Sequence, residues 1–213
     1  NSNSGGDSVG TGFPNSSEVV TGDAHACALD TDSLVQCWGN DALGQVSDVP
    51  AGTFTQVSAG HEFACAIDTD QELACWGWDP YGQVSSAPSG TFKQVSAGYA
   101  RACGINTSDE LECWGQSIAS APSGSFTKVA AHGWYHACAV ETSGAIQCWG
   151  TDDSGSVSGV PSGTFIDVAV GLTYSCGIYE DGTAECWGKD SSGVFDISTL
   201  VPSGSFTRIS SQR

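Results

Sequence analysis

The sequence predicts an all-β repeat fold, a β-propeller of about five four-stranded blades, each holding a disulfide within one hairpin. Three observations carry this expectation. A cysteine, nine residues and then Cys-Trp-Gly recur five times, as Cys27 to Cys37, Cys65 to Cys75, Cys103 to Cys113, Cys138 to Cys148 and Cys176 to Cys186, and these use all ten cysteines. Successive first cysteines stand 38, 38, 35 and 38 residues apart, so one supersecondary unit has been copied and the copies must stack to bury a core. Short β-branched and aromatic runs alternate with Gly, Asp and Ser clusters, the pattern of strands joined by turns.

Each repeat opens with a brief strand, typified by Phe54-Thr-Gln-Val57 and Phe126-Thr-Lys-Val129, ending at Gly60, Gly98, Gly133 or Gly171 where the chain turns. The second and third strands form a hairpin. In the second copy Ala64-Cys-Ala-Ile-Asp68 faces Glu72-Leu-Ala-Cys-Trp76 across Thr69, Asp70 and Gln71. Folding about residue 70 sets Cys65 opposite Cys75 within disulfide reach, so five within-repeat bridges are expected. Closing about eleven residues contributes roughly 2.5–3 kcal/mol per bridge in the chain-entropy model. A zinc site is disfavoured, because the spacing lacks paired Cys-x2-Cys motifs. A fourth segment, such as Gly82-Gln-Val-Ser85 or Gly155-Ser-Val-Ser158, is expected to complete each sheet as a fourth strand.

Trp38, Trp76, Trp114, Trp149 and Trp187 each follow a second cysteine and so point to the opposite face of the strand from the bridge. All five are expected between blades. Burying one such ring removes roughly 150–250 Å² from water, about 4–6 kcal/mol as an upper bound by area. Residues 1–17 read as a Ser/Gly-rich N-terminal tail, and residues 18–210 as one five-repeat propeller with a surplus opening strand at 202–210, Pro202-Ser-Gly-Ser-Phe-Thr-Arg-Ile209.

Six Lys and Arg against 24 Asp and Glu give a net charge of −18, which repels phosphate backbones and anionic headgroups. Nucleic acid is excluded as a natural partner, and no run approaches the roughly 18–20 apolar residues of a membrane-inserted helix. Ten paired cysteines suit an oxidising compartment, and the chain starts at Asn1 without Met, as expected of a secreted or cell-surface protein after signal-peptide removal. Asn15 and Asn106 begin glycosylation sequons.

The pattern Phe-x-x-Val-x-Ala-Gly at Phe54 to Gly60, then Ala64-Cys-Ala-Ile67 or His25-Ala-Cys-Ala-Leu29, then Cys-Trp-Gly, resembles the repeats of the regulator of chromosome condensation family. Its cysteines resemble the extracellular branch, which includes crinkly-type plant receptor ectodomains and exported bacterial repeat proteins. The resemblance covers Glu18 to Ser210 and implies a propeller. Many relatives have seven blades, whereas this chain holds five complete hairpins. The family's nuclear exchange and chromatin roles are not implied, since no exchange residues match by position.

Catalytic constellations are thin. The four histidines lack a His-Glu-x-x-His arrangement, no serine stands in a Gly-x-Ser-x-Gly elbow, and no phosphate-cradling loop is present. No enzyme, cofactor or metal is expected. The pairs Asp30/Asp32 and Asp68/Asp70 fit no twelve-residue calcium loop and read as solvated turns. What remains is a set of variable loops before the first cysteines, which contribute His61, Phe63, Tyr99, Arg101, Trp134, Tyr135 and Tyr174, with Trp78 and Tyr81 added after Trp76. Unlike large side chains gathered on one face suit a binding surface. The expected role is therefore a secreted module that recognises a protein, peptide or glycan. The alternative is a structural subunit of an extracellular filament, a homo-polymer joined head to tail through the tail or the surplus strand.

Overall fold

The structure, a computed structural model, describes residues 19–116, 120–152, 154–189 and 201–210. The N-terminal tail and Asn15 lie outside the described residues. Repeat 1 contains β1 (Val19–Thr21), β2 (His25–Leu29) and β3 (Val35–Gly39). Repeat 2 contains β4 (Phe54–Ala59), β5 (Phe63–Asp68) and β6 (Leu73–Gly77), and repeat 3 contains β7 (Phe92–Ala97), β8 (Arg101–Asn106) and β9 (Leu111–Gly115). Repeat 4 contains β10 (Phe126–Ala130), β11 (His136–Glu141) and β12 (Ile146–Gly150), and repeat 5 contains β13 (Phe165–Val170), β14 (Tyr174–Tyr179) and β15 (Ala184–Gly188). Among the described residues each repeat is one three-stranded antiparallel sheet in sequence order.

The hairpin register sets Cys27 opposite Cys37, Cys65 opposite Cys75, Cys103 opposite Cys113, Cys138 opposite Cys148 and Cys176 opposite Cys186. All five pairs are disulfide-bonded, with Cα atoms 3.9–4.1 Å apart. The hairpin turns repeat as closely. Asp30 Oδ1 accepts the N–H groups of Asp32 and Leu34, Asp68 Oδ1 those of Asp70 and Glu72, and Asn106 Oδ1 those of Ser108 and Glu110. These acids are turn anchors, as the side-chain chemistry of Asp and Asn favours. The sequon residue Asn106 also donates to Glu110 and Glu112, so its amide is engaged within the turn.

The expected fourth strand is a correction: residues 45–48, 83–86 and 156–159 are turns. The cause is an aspartate just after the Trp-Gly of repeats 1, 2 and 4. Asp41 Oδ1 accepts the N–H groups of Val46 and Ser47, Asp79 those of Val84 and Ser85 through its two oxygens, and Asp152 Oδ1 those of Val157 and Ser158. Donors bound to a local carboxylate are no longer free for a ladder. Hydrogen bonds from the backbone of Ser47 and Val46 hold the Asp41 carboxyl below its ordinary range.

Stacking creates the core. Trp76, Trp114, Trp149 and Trp187 are buried, and each packs on the preceding repeat, as Trp187 does against Cys138, Val140 and Ile146. Trp76, Trp114 and Trp187 donate Nε1–H to the backbone oxygens of Gln45, Gln83 and Ser156, each 31 residues upstream. Trp38 departs from the expectation: it is 49 % exposed, because its hairpin begins the described array and no described repeat precedes it.

A second bond marks every joint. The N–H groups of Phe54, Phe92, Phe126 and Phe165 donate to Ser33, Gln71, Asp109 and Gly144 at the tip of the preceding hairpin. The surplus segment forms no strand ladder among the described residues. Its Phe206 N–H nevertheless donates to Gly182 at 2.7 Å, the same bond at a fifth joint. Glycine matters where repeats converge: a Cβ on Gly98 would stand 2.0 Å from the Ala131 oxygen, so only the bare backbone fits.

Candidate functional site

The residue four places before each first cysteine is Asp23, His61, Tyr99, Trp134 or Leu172. The short turn after each opening strand brings these five residues together, and all line one pocket of about 110 Å³. The site thus takes one residue from every repeat. Its polarity changes around the ring, from the carboxylate of Asp23, through His61, to the rings of Tyr99 and Trp134 and the aliphatic Leu172.

Neighbouring members touch. His61 Nε2 lies 3.4 Å from Asp23 Oδ2, and its Nδ1 lies 3.6 Å from Glu62. The His61 and Tyr99 rings are 4.5 Å apart, and Tyr99 stacks on Trp134 at 4.1 Å and 29°. Three more aromatics extend the cluster outward. Trp78 lies 6.1 Å from His61 and meets Tyr81 edge-on at 5.6 Å, and Tyr135 lies 6.1 Å from Trp134. Tyr81 and Tyr135 are exposed at the rim. Aromatic platforms of this kind offer large contact area at small entropic cost, with polar tips for orientation.

Seven of the expected binding residues, His61, Tyr99, Trp134, Tyr135, Trp78, Tyr81 and Tyr174, are at least partly accessible. The first six form the cluster, whereas the Tyr174 ring packs beside Gly171. Two expectations are corrected. Phe63 is wholly buried, because its position in β5 points into the joint with repeat 3. Arg101 is 2 % exposed and cannot meet a ligand directly. Its guanidinium donates to the Gly133 and Trp134 oxygens at 2.8 Å, and its Nε to Gln116 at 3.3 Å. It therefore positions the loop that presents Trp134, and burial lowers its pKa to about 10.

His132 was not singled out by the sequence, yet it lines the pocket and its Nε2 lies 3.1 Å from the Ala59 oxygen. Burial lowers its pKa. Nearby, His136 is buried against Ser175 Oγ at 2.8 Å, and burial together with the Arg101 cation lowers its pKa to about 4. Aligning the loops before the first cysteines already picks out Asp23, His61, Tyr99, Trp134 and Leu172 as equivalent positions. Their stacking distances depend on how tightly the repeats converge. Among the described residues no group of three His, Cys, Asp or Glu side chains is arranged to hold a metal ion.

The regulator of chromosome condensation (RCC1) repeat matches residues 17–45, 54–83 and 126–156. No curated protein matches the chain. Among solved structures, the CRINKLY WD40 ectodomain of the Arabidopsis thaliana receptor kinase ACR4 is 30 % identical, with a TM-score of 0.66, over 80 % of this chain and 64 % of that one. The entire ectodomain of the Physcomitrella patens receptor kinase CR4 is 24 % identical, with a TM-score of 0.75, over 88 % of this chain and 56 % of that one. Yeast RCC1 (Prp20), solved bound to Kap60, shares the fold at 16 % identity and a TM-score of 0.69, over 87 % of this chain and 60 % of that one. The chain spans 56–64 % of the length of these three proteins. The family's repeat is thus found in repeats 1, 2 and 4, and the chain as a whole is similar to the crinkly-type receptor ectodomains.

Proposed function

We propose that the protein is a secreted or cell-surface recognition module without catalytic activity, which binds a protein, peptide or glycan on the ring formed by Asp23, His61, Tyr99, Trp134 and Leu172. The observation that carries this reading is the convergence of one variable residue from each repeat on a single pocket, flanked by a continuous aromatic cluster. The surrounding joints are nearly identical from repeat to repeat, so variation concentrated at this position suits a surface whose chemistry differs while its frame does not. The five disulfides and the receptor ectodomain neighbours support an extracellular setting.

Arrays of immobilised oligosaccharides and of extracellular peptides, probed with the labelled protein, test the reading. Saturable binding to one class is expected, weakened at least about tenfold by Trp134→Ala or Tyr99→Ala. Binding unchanged in both variants would remove the aromatic ring from the function.

A further inference from the structure

Three rings of the aromatic cluster are set as the walls of a corner. His61, Trp78 and Tyr99 stand 4.5–6.5 Å apart between centroids, with their planes inclined at 56–70° to one another. The stacked pair, Tyr99 on Trp134, covers one face of each of its rings. A sugar ring lies flat on an open aromatic face, whereas rings at steep angles enclose a compact group, as in the aromatic cages that hold ammonium ions. The corner belongs to repeats 2 and 3, with a described repeat on either side.

Carboxylates edge the same corner. Asp23 Oδ2 lies 3.4 Å from His61 Nε2, and Glu62 Oε2 lies 3.6 Å from His61 Nδ1. Two acids therefore flank one wall, with at most the single charge of a protonated His61 between them. No Lys or Arg stands among the described residues that line the pocket of about 110 Å³. Arg101 is turned beneath the loop onto the Gly133 and Trp134 oxygens. Burial holds His25 and His132 below the ordinary imidazole range, so neither adds charge at neutral pH. The site is net negative in a chain of net charge −18, and such a field draws cations in from a distance.

Resting on the recognition reading of this ring, we infer that the corner takes the cationic side chain, Lys or Arg, of a basic peptide segment in a protein partner. The charged head meets Trp78 and Tyr99 together with the carboxylates of Asp23 and Glu62, while Tyr81, Trp134 and Tyr135 contact its aliphatic stem and the flanking residues. A cation beside both an aromatic face and a carboxylate gains from each, and gains more where water is partly excluded. A neutral glycan draws nothing from the net charge of the site.

Fluorescence anisotropy of labelled hexa-arginine, hexa-citrulline and chitohexaose with the full chain, at about 0.15 M salt, reads the inference. Saturable binding of hexa-arginine is expected, with hexa-citrulline, which replaces each cation by a neutral urea, at least about tenfold weaker. The double variant Asp23→Asn, Glu62→Gln keeps the shape of both acids, so the fold is expected to survive. That variant and Trp78→Ala are each expected to weaken hexa-arginine at least about tenfold. Asp68→Asn controls for bulk charge, since Asn106 anchors the same turn in repeat 3, and is expected to change binding less than about twofold. Absence of hexa-arginine binding, equal binding of hexa-citrulline, or equal weakening by Asp68→Asn would each overturn the inference. Chitohexaose bound in place of hexa-arginine, and lost in Trp134→Ala, would overturn it while leaving the recognition reading intact. Binding of hexa-arginine that survives Trp78→Ala, Tyr99→Ala and Trp134→Ala alike would overturn both.

Discussion

Trp38 and Trp76 sit in the same Cys-Trp-Gly setting at the end of equivalent hairpins, yet one is 49 % exposed and the other 4 %. Nothing in their own repeats accounts for the difference. Trp76 is buried because repeat 1 supplies Cys27, Val35 and Leu29 to pack on it and the Gln45 oxygen to accept its N–H. Burial here belongs to the neighbour and not to the residue, as expected of an array in which stability is a sum of nearest-neighbour interfaces.

The contrast is broken most directly by Trp76→Ala against Trp38→Ala in dilute protein. The interior change is expected to cost about 3–5 kcal/mol, from lost transfer energy and the cavity left behind. The end change is expected to cost less than about 1 kcal/mol. Denaturant midpoints measure both, and equal losses would mean that Trp38 has a partner in the isolated chain. Next in size, replacing Cys103 and Cys113 together by Ser is expected to cost roughly 2–4 kcal/mol, read by the same midpoints in oxidised protein.

A smaller effect follows from the buried histidines. His136 titrates at about 4 in the fold against 6.5 for an ordinary imidazole, mainly through burial. A depressed pKa means that the unfolded chain binds the proton more tightly. The contribution is therefore complete above about pH 6.5 and is lost as pH falls toward 4. His25, lowered by burial and by His61, acts in the same direction. Thermal midpoints are expected to be flat above that window and to decline within it, with a shallower decline in His136→Gln. An unchanged slope in that variant would assign the decline to other groups.

How much the sequence reveals differs by level. The hairpins, the cysteine partners and the interior tryptophans follow from local spacing, because antiparallel pairing fixes which residues stand opposite. The post-tryptophan segment misled. Gly82-Gln-Val-Ser85 has strand-like residues, and only the reach of the Asp79 carboxylate to Val84 and Ser85 reveals a turn. At the site, the aromatic loops were visible as composition, but position alone did not separate Tyr99, which faces the pocket, from Arg101, which turns beneath it. That separation depends on the turn between β7 and β8, which carries Tyr99 while Arg101 already opens β8, and on the carbonyl groups that repeat 4 brings within reach.

The acceptors for the Trp76, Trp114 and Trp187 indoles are main-chain oxygens at Gln45, Gln83 and Ser156. A carbonyl is supplied by any amino acid, so the linkage places no demand on the side chain at the docking point, and Gln and Ser serve alike. A unit cut from one position would find the same socket at another. Duplication, loss or reshuffling of whole cassettes therefore requires no matched compensating change at the seam, and the array gains or sheds length more readily than it alters the design of any single member.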